Sequence, residues 1–303
     1  AQTGEQYHHI RIINNELKNA SASPWGGTGM LAGGHLGINR AYQIELINNH
    51  IHHLAGTDPY DHCIYFRADD SLIEGNYIHD CPGSGITSHH NTGYVATNIT
   101  VRNNVIHDHL TGPCIRLAGD NHTAYNNLCY NAGDTNSAPL IVALSTPTNN
   151  AFYNNTVYNS RSSLACIHIS SSSNPATNTQ AKNNLCWGGV NDRILDDGTN
   201  SSISHNICSS GPGCISYTDP RFVNAAAQDF HLQSTSPAID AGATLAAVTT
   251  DYDGNGRPMG PAYDIGAFEY AAGCSLKFNP ASGPAPTTVT YTWATDDADG
   301  NIP

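Results

Sequence analysis

A segment of alternating apolar and polar residues, with asparagine at a fixed place, recurs eight times along the chain. One copy is SLIEGNYIHD, which contains Asn76, and ITVRNNVIHD and HTAYNNLCYN are two others. The aligned asparagines are Asn15, Asn49, Asn76, Asn104, Asn127, Asn155, Asn184 and Asn206, at spacings of 34, 27, 28, 23, 28, 29 and 22 residues. Alternation at period two predicts strands, and the runs are too short for helices. A repeat of this length made of strands alone predicts an all-β parallel β-solenoid of about eight rungs.

These eight asparagines, the asparagine ladder, have a structural explanation. A side-chain amide at a turn can satisfy main-chain groups, and stacked amides can bond one another along the solenoid axis. We therefore expect no residue of the asparagine ladder to be catalytic.

Composition limits the partners. The net charge is −13 with only 12 Lys+Arg, which argues against nucleic acid or an anionic membrane. An acidic polymer would have to bind at a site formed locally by the few arginines. No apolar run approaches the roughly 18 residues of a membrane span.

The nine cysteines fall mostly at repeated places. Three lie two residues after a ladder asparagine, and four precede the central isoleucine of the next strand. These are Cys129, Cys186 and Cys208, and then Cys63, Cys114, Cys166 and Cys214. The pattern predicts buried, packed thiols for most of them, with Cys208–Cys214 as the best candidate for a disulfide.

Over roughly residues 8–220 the repeated pattern resembles the right-handed parallel β-helix (pectate-lyase-like) superfamily. The resemblance implies an extracellular, carbohydrate-acting protein, although a solenoid scaffold carries many chemistries. From this resemblance, residues 1–220 are predicted to form the β-helix.

Two further resemblances concern the C-terminal part of the chain. The motifs DPRFV, DFHL, SPAIDAG and DIGAFEY in residues 221–272 resemble the C-terminal closing segment of secreted bacterial β-helix proteins. Residues 273–303 resemble the first half of a polycystic-kidney-disease-like (PKD) β-sandwich module. Together they imply a secreted or cell-surface bacterial protein, a monomer within a larger modular protein.

The one cofactor prediction concerns the stretch TDYDGNGRP. Asp251, Asp253 and Asn255 have the odd-position spacing of a calcium loop, which predicts a structural calcium ion. The alternative is a turn in which carboxylates cap main-chain amides. No other cofactor is predicted.

In the strand after each ladder asparagine, a central isoleucine is predicted to point inward, so residues one and three places further on point outward. The inward residues are Ile64, Ile86, Ile115, Ile141, Ile167 and Ile215. The first outward column is Tyr65, Thr87, Arg116, Val142, His168 and Ser216, and the second is Arg67, His89, Ala118, Leu144 and Ser170. Ionisable groups thus concentrate on three rungs, and Asp58, Asp61, His62 and His90 lie at strand ends beside them.

This constellation suits proton abstraction next to a carboxylate. Arg67 and Arg116 would neutralise a uronate, His89 would take the proton and Tyr65 would act as the acid. Asp58, Asp61, His62, His90 and His168 would bind substrate. The outcome is β-elimination by a lyase or inversion by an epimerase. The stretch TDPYDH is partly similar to the Asp-Pro-His-Glu signature of uronan C5-epimerases, with Tyr60 where that family has His.

Two alternatives remain open. The first is a non-catalytic surface, adhesion or glycan-binding solenoid, because a soluble β-helix needs a polar outer face in any case. The second is a glycoside hydrolase that uses paired carboxylates. Its candidates are Asp58, Asp61, Asp69, Asp70 and Asp120, although the last three fall at predicted turns.

A third column follows the asparagine ladder by three residues: Lys18, His52, His79, His107, Tyr130, Tyr158 and Trp187. Its rings could stabilise one face of the solenoid or form a platform for sugars. Histidines stacked along one column offer no closed four-ligand geometry, so no transition metal is predicted there.

Overall fold

The computed structural model describes residues 7–19, the main chain of 30–33, and residues 41–55, 61–88, 95–109, 111–143, 146–170 and 175–271. These residues form a parallel β-helix, which confirms the predicted fold class. Their strands are numbered β1 to β26 in chain order, and the single helical element is a 3-10 turn over Ala225–Ala227.

Three parallel sheets run along the solenoid. The first sheet contains β1 (Tyr7–Ile13), β4 (Ala41–Ile47), β7 (Leu72–Glu74), β10 (Thr100–Arg102), β13 (Thr123–Tyr125), β16 (Ala151–Tyr153), β19 (Gln180–Lys182) and β22 (Ser202–Ser204). The second contains β2 (Glu16–Lys18), β5 (His50–His52), β8 (Tyr77–His79), β11 (Val105–His107), β14 (Leu128–Tyr130), β17 (Thr156–Tyr158), β20 (Leu185–Trp187), β23 (Asn206–Ile207) and β24 (Cys214–Ser216). The third contains β3 (Met30–Gly33), β6 (Ile64–Arg67), β9 (Ile86–Ser88), β12 (Ile115–Leu117), β15 (Leu140–Val142), β18 (Ile167–Ile169) and β21 (Ile194–Asp196).

The core is a set of stacked inward columns. In the first sheet, for example, the central residue of each short strand lies opposite the central residue of the next, and most are fully buried. This column is Ile12, Leu46, Ile73, Val101, Ala124, Phe152, Ala181 and Ile203. Rungs of parallel strands lie about 4.8 Å apart, so each inward side chain contacts the same position one rung away.

The asparagine ladder lies at the corner between the first and second sheets. Each Nδ2 donates to the Oδ1 of the next ladder asparagine, at 2.9 to 3.2 Å from Asn15 to Asn206. That Oδ1 also accepts the main-chain amide of the preceding ladder residue. From Asn49 onward, each Nδ2 bonds a main-chain carbonyl of the preceding rung as well. Asn15 is exposed, but the ladder residues from Asn49 onward are buried, so this part of the ladder satisfies polar groups that water cannot reach.

The prediction of packed thiols is wrong for five of the cysteines that it named: Cys63, Cys114, Cys129, Cys166 and Cys186. The structure contains Cys63–Cys81, Cys114–Cys129, Cys166–Cys186 and Cys208–Cys214 disulfides, so only the last pairing was predicted. The Cα atoms of the four pairs are 5.3 to 6.2 Å apart. In Cys114–Cys129 and Cys166–Cys186, a cysteine of a second-sheet strand bonds one that directly precedes a third-sheet strand. Cys274 lies outside the described residues.

The segment after residue 220 covers the solenoid laterally. It begins with an antiparallel pair, β25 (Phe222–Asn224) and β26 (Asp229–Leu232). Phe230 and Phe268 pack with Leu185 of the second sheet, while Tyr263 packs with Tyr153 of the first.

A buried ion pair holds this segment in place. Arg257 Nη1 lies 2.5 Å from Glu269 Oε1, and Arg257 Nη2 donates to Asn126 Oδ1 of the solenoid at 3.2 Å. The β-helix and the segment belong to one compact unit that ends at Tyr270. The predicted domain boundaries stay predictions, and the PKD-like residues 273–303 lie outside the described residues.

Within the described ranges, no helix is long and apolar enough to cross a membrane.

Replacing Asn127 with Ala tests the asparagine ladder. The change removes the acceptor for the main-chain and side-chain amides of Asn104 and the side-chain donor to Asn155. Buried groups left without partners cost about 1–3 kcal/mol each, so we expect the free energy of urea unfolding to fall by at least about 3 kcal/mol.

The matched control is Asn149→Gly. Asn149 belongs to an exposed asparagine row in which its Nδ2 bonds Asn121 Oδ1, and glycine keeps its left-handed φ of 57°. The variant also loses the bond from Asn178 Nδ2 to Asn149 Oδ1, but water replaces both exposed bonds, so we expect a cost below about 1 kcal/mol. Equal losses for both variants would contradict the structural role assigned to burial.

Two buried histidines predict acid sensitivity. Burial lowers the pKa of His122 to about 3 and that of His109 to about 4, and His122 Nδ1 accepts the Ile99 amide at 3.1 Å. Between pH 6.5 and 4 the unfolded chain binds protons that the folded chain does not. The free energy of unfolding should therefore fall with decreasing pH by up to about 1.4 kcal/mol per unit for each histidine.

His122→Asn isolates one of these contributions. Asn150, one rung further on, uses Oδ1 to accept the main-chain amide of His122, so asparagine suits this position. We expect the unfolding free energy of this variant to depend less steeply on pH than that of the native chain. The difference should correspond to about one fewer proton taken up on unfolding. An unchanged slope would show that His122 does not titrate on unfolding.

Candidate functional site

The outer face of the third sheet carries four of the predicted site residues, Tyr65, Arg67, Arg116 and His168. Its pairing register aligns one outward column: Tyr65, Thr87, Arg116, Ile141, His168 and Leu195. Tyr65, Thr87 and Arg116 therefore occupy consecutive rungs about 4.8 Å apart. Ile64 and Phe66, which flank Tyr65, are fully buried, as alternation requires.

Two members of the predicted column are wrong. Ile141, not Val142, lies opposite Arg116, because Leu140 takes the place opposite Ile115. All residues of the run PLIVAL are apolar, so the sequence does not show which of them point inward. After the long turn over residues 131–139, the strand is shifted by one residue relative to the predicted register.

The far end of the column differs too. Ile215 is half exposed, and Ser216 lies in the second sheet beside Ile207, because β24 adds to that sheet. β21 instead supplies Leu195 as the last residue of the column.

Tyr65 and Arg67 form the closest polar contact on this face. Arg67 Nη2 donates to the Tyr65 hydroxyl oxygen at 2.6 Å, and the guanidinium carbon lies 4.9 Å from the ring centroid. Both side chains are half-buried on β6. Among the described residues, no carboxylate forms an ion pair with Arg67.

His62 supports Tyr65 from the preceding turn. It is buried, and its Nδ1 accepts the Ser84 main-chain amide at 3.1 Å, which places the ring proton on Nε2. Its ring lies parallel to that of Tyr65, with centroids 5.8 Å apart. Asp61 is also buried, and its carbonyl accepts the Gly83 amide. Both residues thus lie beneath the face.

Thr87 lies between Tyr65 and Arg116 with no exposed surface, and its Oγ1 has no hydrogen-bond partner among the described residues. Arg67 Nε is likewise buried, without a partner in the described part of the chain. The next residue, Ser88, differs, since its Oγ accepts the Ala118 amide and donates to the Arg116 carbonyl. The face therefore contains unsatisfied polar atoms beside satisfied ones.

His168 lies at the far end of the column. Ile141 separates it from Arg116, and four rung spacings, about 19 Å, separate it from Tyr65. Its Nε2 lies 3.1 Å from Asp197 Oδ2. It can therefore contact a different sugar unit from the one at Tyr65. Of the second predicted column, Ala118 and Ser170 are buried. Asp58, His89, His90 and Leu144 lie outside the described residues.

The carboxylates suggested for hydrolysis are used in turns. Asp69 Oδ1 accepts the Thr97 amide at 2.8 Å, and Asp120 Oδ1 accepts the Thr148 amide at 2.9 Å. Asp70 Oδ1 accepts a bond from the Asn98 side chain. Asp69 and Asp70 lie on one rung and Asp120 two rungs further on, so these three of the five suggested carboxylates stabilise turns of the solenoid.

The predicted calcium loop is also bonded within the protein. Asp251 is fully buried, and its two oxygens accept the Asn255 and Glu269 main-chain amides and the Asn255 side chain. Asp253 Oδ2 lies 2.7 Å from His231 Nε2. An ion would have to displace these contacts, and calcium here stays a prediction.

A cavity of about 520 Å³ lies on the first sheet. Its cation, Arg102, bonds Glu74 Oε2 and the Tyr125 hydroxyl, both at 2.9 Å. Burial opposes the charged form of Arg102, but these hydrogen bonds raise its pKa. Because Glu74 neutralises the arginine, the cavity attracts an anionic ligand less than the face around Arg67.

The third predicted column is a continuous stack on the second sheet. Its register runs Lys18, His52, His79, His107, Tyr130, Tyr158 and Trp187. His107 stacks on Tyr130 at 4.5 Å, and the C-terminal segment brings Phe230 against Tyr130 and Tyr158. Burial lowers the pKa of His107. The aromatic half of the stack therefore has a packing role.

The comparisons with known proteins agree with this architecture. The family model described as "right handed beta helix region" matches residues 34–208, and the chain belongs to this family. A crystal structure of the pectate lyase Pel9A is similar, with a TM-score of 0.57 and 14% sequence identity. The alignment covers 87% of this chain and 68% of that one, and at this identity it shows the fold alone. No curated protein matches the sequence.

Thr87→Val tests the unsatisfied hydroxyl. Removing a buried polar group without a partner removes a desolvation cost, so the free energy of urea unfolding should stay unchanged or rise by about 1 kcal/mol. Ser88→Ala is the control, and it should cost about 1–3 kcal/mol because two bonds are lost. Destabilisation by Thr87→Val to the same extent would contradict the assignment.

Proposed function

We propose that this protein acts on an acidic polysaccharide at the outer face of the third sheet, as a lyase or epimerase that abstracts a proton next to a uronate. The observation that carries the proposal is the Tyr65–Arg67 hydrogen bond beside Arg116 in one outward column. This arrangement places two cations and a phenol within the span of one or two sugar units.

The two arginines have a specific task in this chemistry. A guanidinium that binds the uronate carboxylate offsets the negative charge that develops when the neighbouring C5 proton leaves. The protein as a whole repels an acidic polymer, because the net charge of the chain is −13. Binding and turnover should therefore depend on Arg67 and Arg116 more than on any other cations.

Tyr65 suits the role of general acid. Its oxygen accepts the bond from Arg67, and a phenolic hydroxyl can act as both donor and acceptor. In β-elimination the C5–H electron pair forms the C4=C5 double bond as the C4–O bond breaks, and Tyr65 protonates the departing oxygen. In epimerisation the acid returns a proton to the opposite face of C5. His89 is the proposed base, and Asp58, His90 and His168 are proposed substrate contacts.

The proposed environment is extracellular. Four disulfides are typical of proteins that fold in an oxidising compartment. Secretion, the closing role of residues 221–272 and the PKD-like module of a larger protein belong to the same proposal. The pectate lyase with a similar fold is a reason to test pectate among the substrates.

The test is absorbance near 235 nm, where unsaturated uronates absorb, during incubation with pectate, alginate, ulvan and glycosaminoglycans. We expect one polymer to give a rising signal. Arg67→Ala and Arg116→Ala should each lower the rate about 10²–10³-fold, and Tyr65→Phe about 10²–10⁴-fold. Arg11→Ala is the control, since Arg11 is exposed and pairs with Glu45 on the first sheet.

Three outcomes separate the alternatives. A flat trace with incorporation of solvent deuterium at C5 supports the epimerase. Binding of a polymer without any chemical change supports the non-catalytic glycan-binding solenoid. Turnover that is unchanged in Arg116→Ala contradicts the proposed site.

A further inference from the structure

Two outward columns of the second sheet bring three histidines together on adjacent rungs. The register aligns Glu16, His50 and Tyr77 in one column, and Lys18, His52 and His79 in the other. His50 and His52 are two residues apart on β5 and so point to the same side of the sheet. Their rings stack with centroids 3.9 Å apart, and the His52 and His79 rings are 4.9 Å apart.

The ring nitrogens of these histidines converge. His50 Nε2 lies 2.8 Å from His79 Nε2, and the three residues offer nitrogen atoms that all lie within 4.8 Å of one another. Four ligands of a tetrahedral ion with bonds of 2.0–2.1 Å are about 3.3 Å apart, so modest side-chain rotations would bring the nitrogens to ligand distance. Glu16 Oε1, which lies 3.1 Å from His52 Nε2, supplies a fourth donor.

A carboxylate orients one of the histidines. His79 Nδ1 lies 2.7 Å from Asp80 Oδ2, which places the proton on Nδ1 and the lone pair on Nε2, towards His50. A carboxylate behind a histidine is the common arrangement in metal sites, where it fixes the tautomer of the ligand. Asp80 therefore has a positioning role.

We propose that His50, His52 and His79, the histidine cluster, bind a divalent transition metal ion, with Zn²⁺ as the first candidate and Glu16 as the fourth ligand. Imidazole nitrogen suits zinc, copper and nickel, whereas calcium and magnesium take oxygen ligands. The proposal does not depend on the proposed function of the third sheet.

The histidine cluster can surround an ion because its residues come from two neighbouring columns. Histidines of one column, such as His52, His79 and His107, follow one another in a row and cannot surround an ion. His50 and Glu16 come from the neighbouring column and complete the set. The ion would join β2, β5 and β8, three consecutive rungs, and so oppose their separation.

Lys18 competes with the ion for Glu16. Its Nζ lies 2.9 Å from the same Oε1 that approaches His52. A bound cation would have to displace this ammonium group. Removing Lys18 should therefore strengthen metal binding, whereas removing a ligand should weaken it. The two changes thus test the proposal in opposite directions.

The experiment is calorimetric titration of the tag-free, EDTA-treated chain with ZnCl₂, with the visible spectrum of bound Co²⁺ as a second readout. We expect one ion per chain, a tetrahedral Co²⁺ spectrum and a higher melting temperature with Zn²⁺. His50→Ala and His79→Ala should each lower the affinity at least tenfold, and Asp80→Asn about 10–100-fold. Lys18→Met should raise it severalfold.

His205→Ala is the matched control, because His205 is an exposed histidine of the described solenoid outside the cluster. It should leave stoichiometry and affinity unchanged. Circular dichroism of the metal-free variants checks their folding, and Lys18→Met, at an exposed position, keeps the test decisive if the histidine variants unfold. Absence of binding by the native chain, or equal affinity in all variants including Lys18→Met, would overturn the proposal.

Discussion

Buried asparagine side chains bond one another from rung to rung along the corner between the first and second sheets. An amide at this corner satisfies its neighbours only when each asparagine lies directly above the one before it. The asparagine ladder therefore fixes the register of the two adjoining sheets, and through them the height of each rung of the third. Because side chains of parallel strands alternate, that register decides which residues form outward columns. Both candidate sites depend on it.

Much of the fold follows from the sequence because the ladder asparagine marks the same corner in each rung. Strands next to it, such as Tyr77–His79, have a constant offset from that mark, so the third predicted column agrees with the structure in full. The third sheet comes after turns of variable length. Prediction there holds for Tyr65 and Arg116 but is wrong at Val142 and Ser216, where the offset changes. Cys114–Cys129 and Cys166–Cys186 were missed because each joins positions that belong to different sheets, and Cys63–Cys81 was missed because it joins residues in turns.

The candidate sites differ in how the sequence could have indicated them. Tyr65 and Arg67 are two residues apart on one strand, so alternation alone predicts their contact. His50 and His79 come from different columns of different rungs, and only the pairing of β5 with β8 brings their nitrogens to 2.8 Å. The support that His62 gives to Tyr65 was also missed, since it depends on the fold of a turn. The alternation of side chains along one strand can be predicted from the sequence. Contacts between residues of different columns can be predicted only when the pairing register of the strands is known.

The central claim is that acidic sugar binds across the Tyr65–Arg116 face. A crystal structure after soaking with oligosaccharides of pectate, alginate, ulvan or a glycosaminoglycan tests it most directly. The account predicts a bound chain that runs along the outward column, with a carboxylate in contact with Arg67 or Arg116. Sugar found only in the cavity beside Arg102 or over the histidine cluster would contradict the claim, as would the absence of sugar with every oligosaccharide.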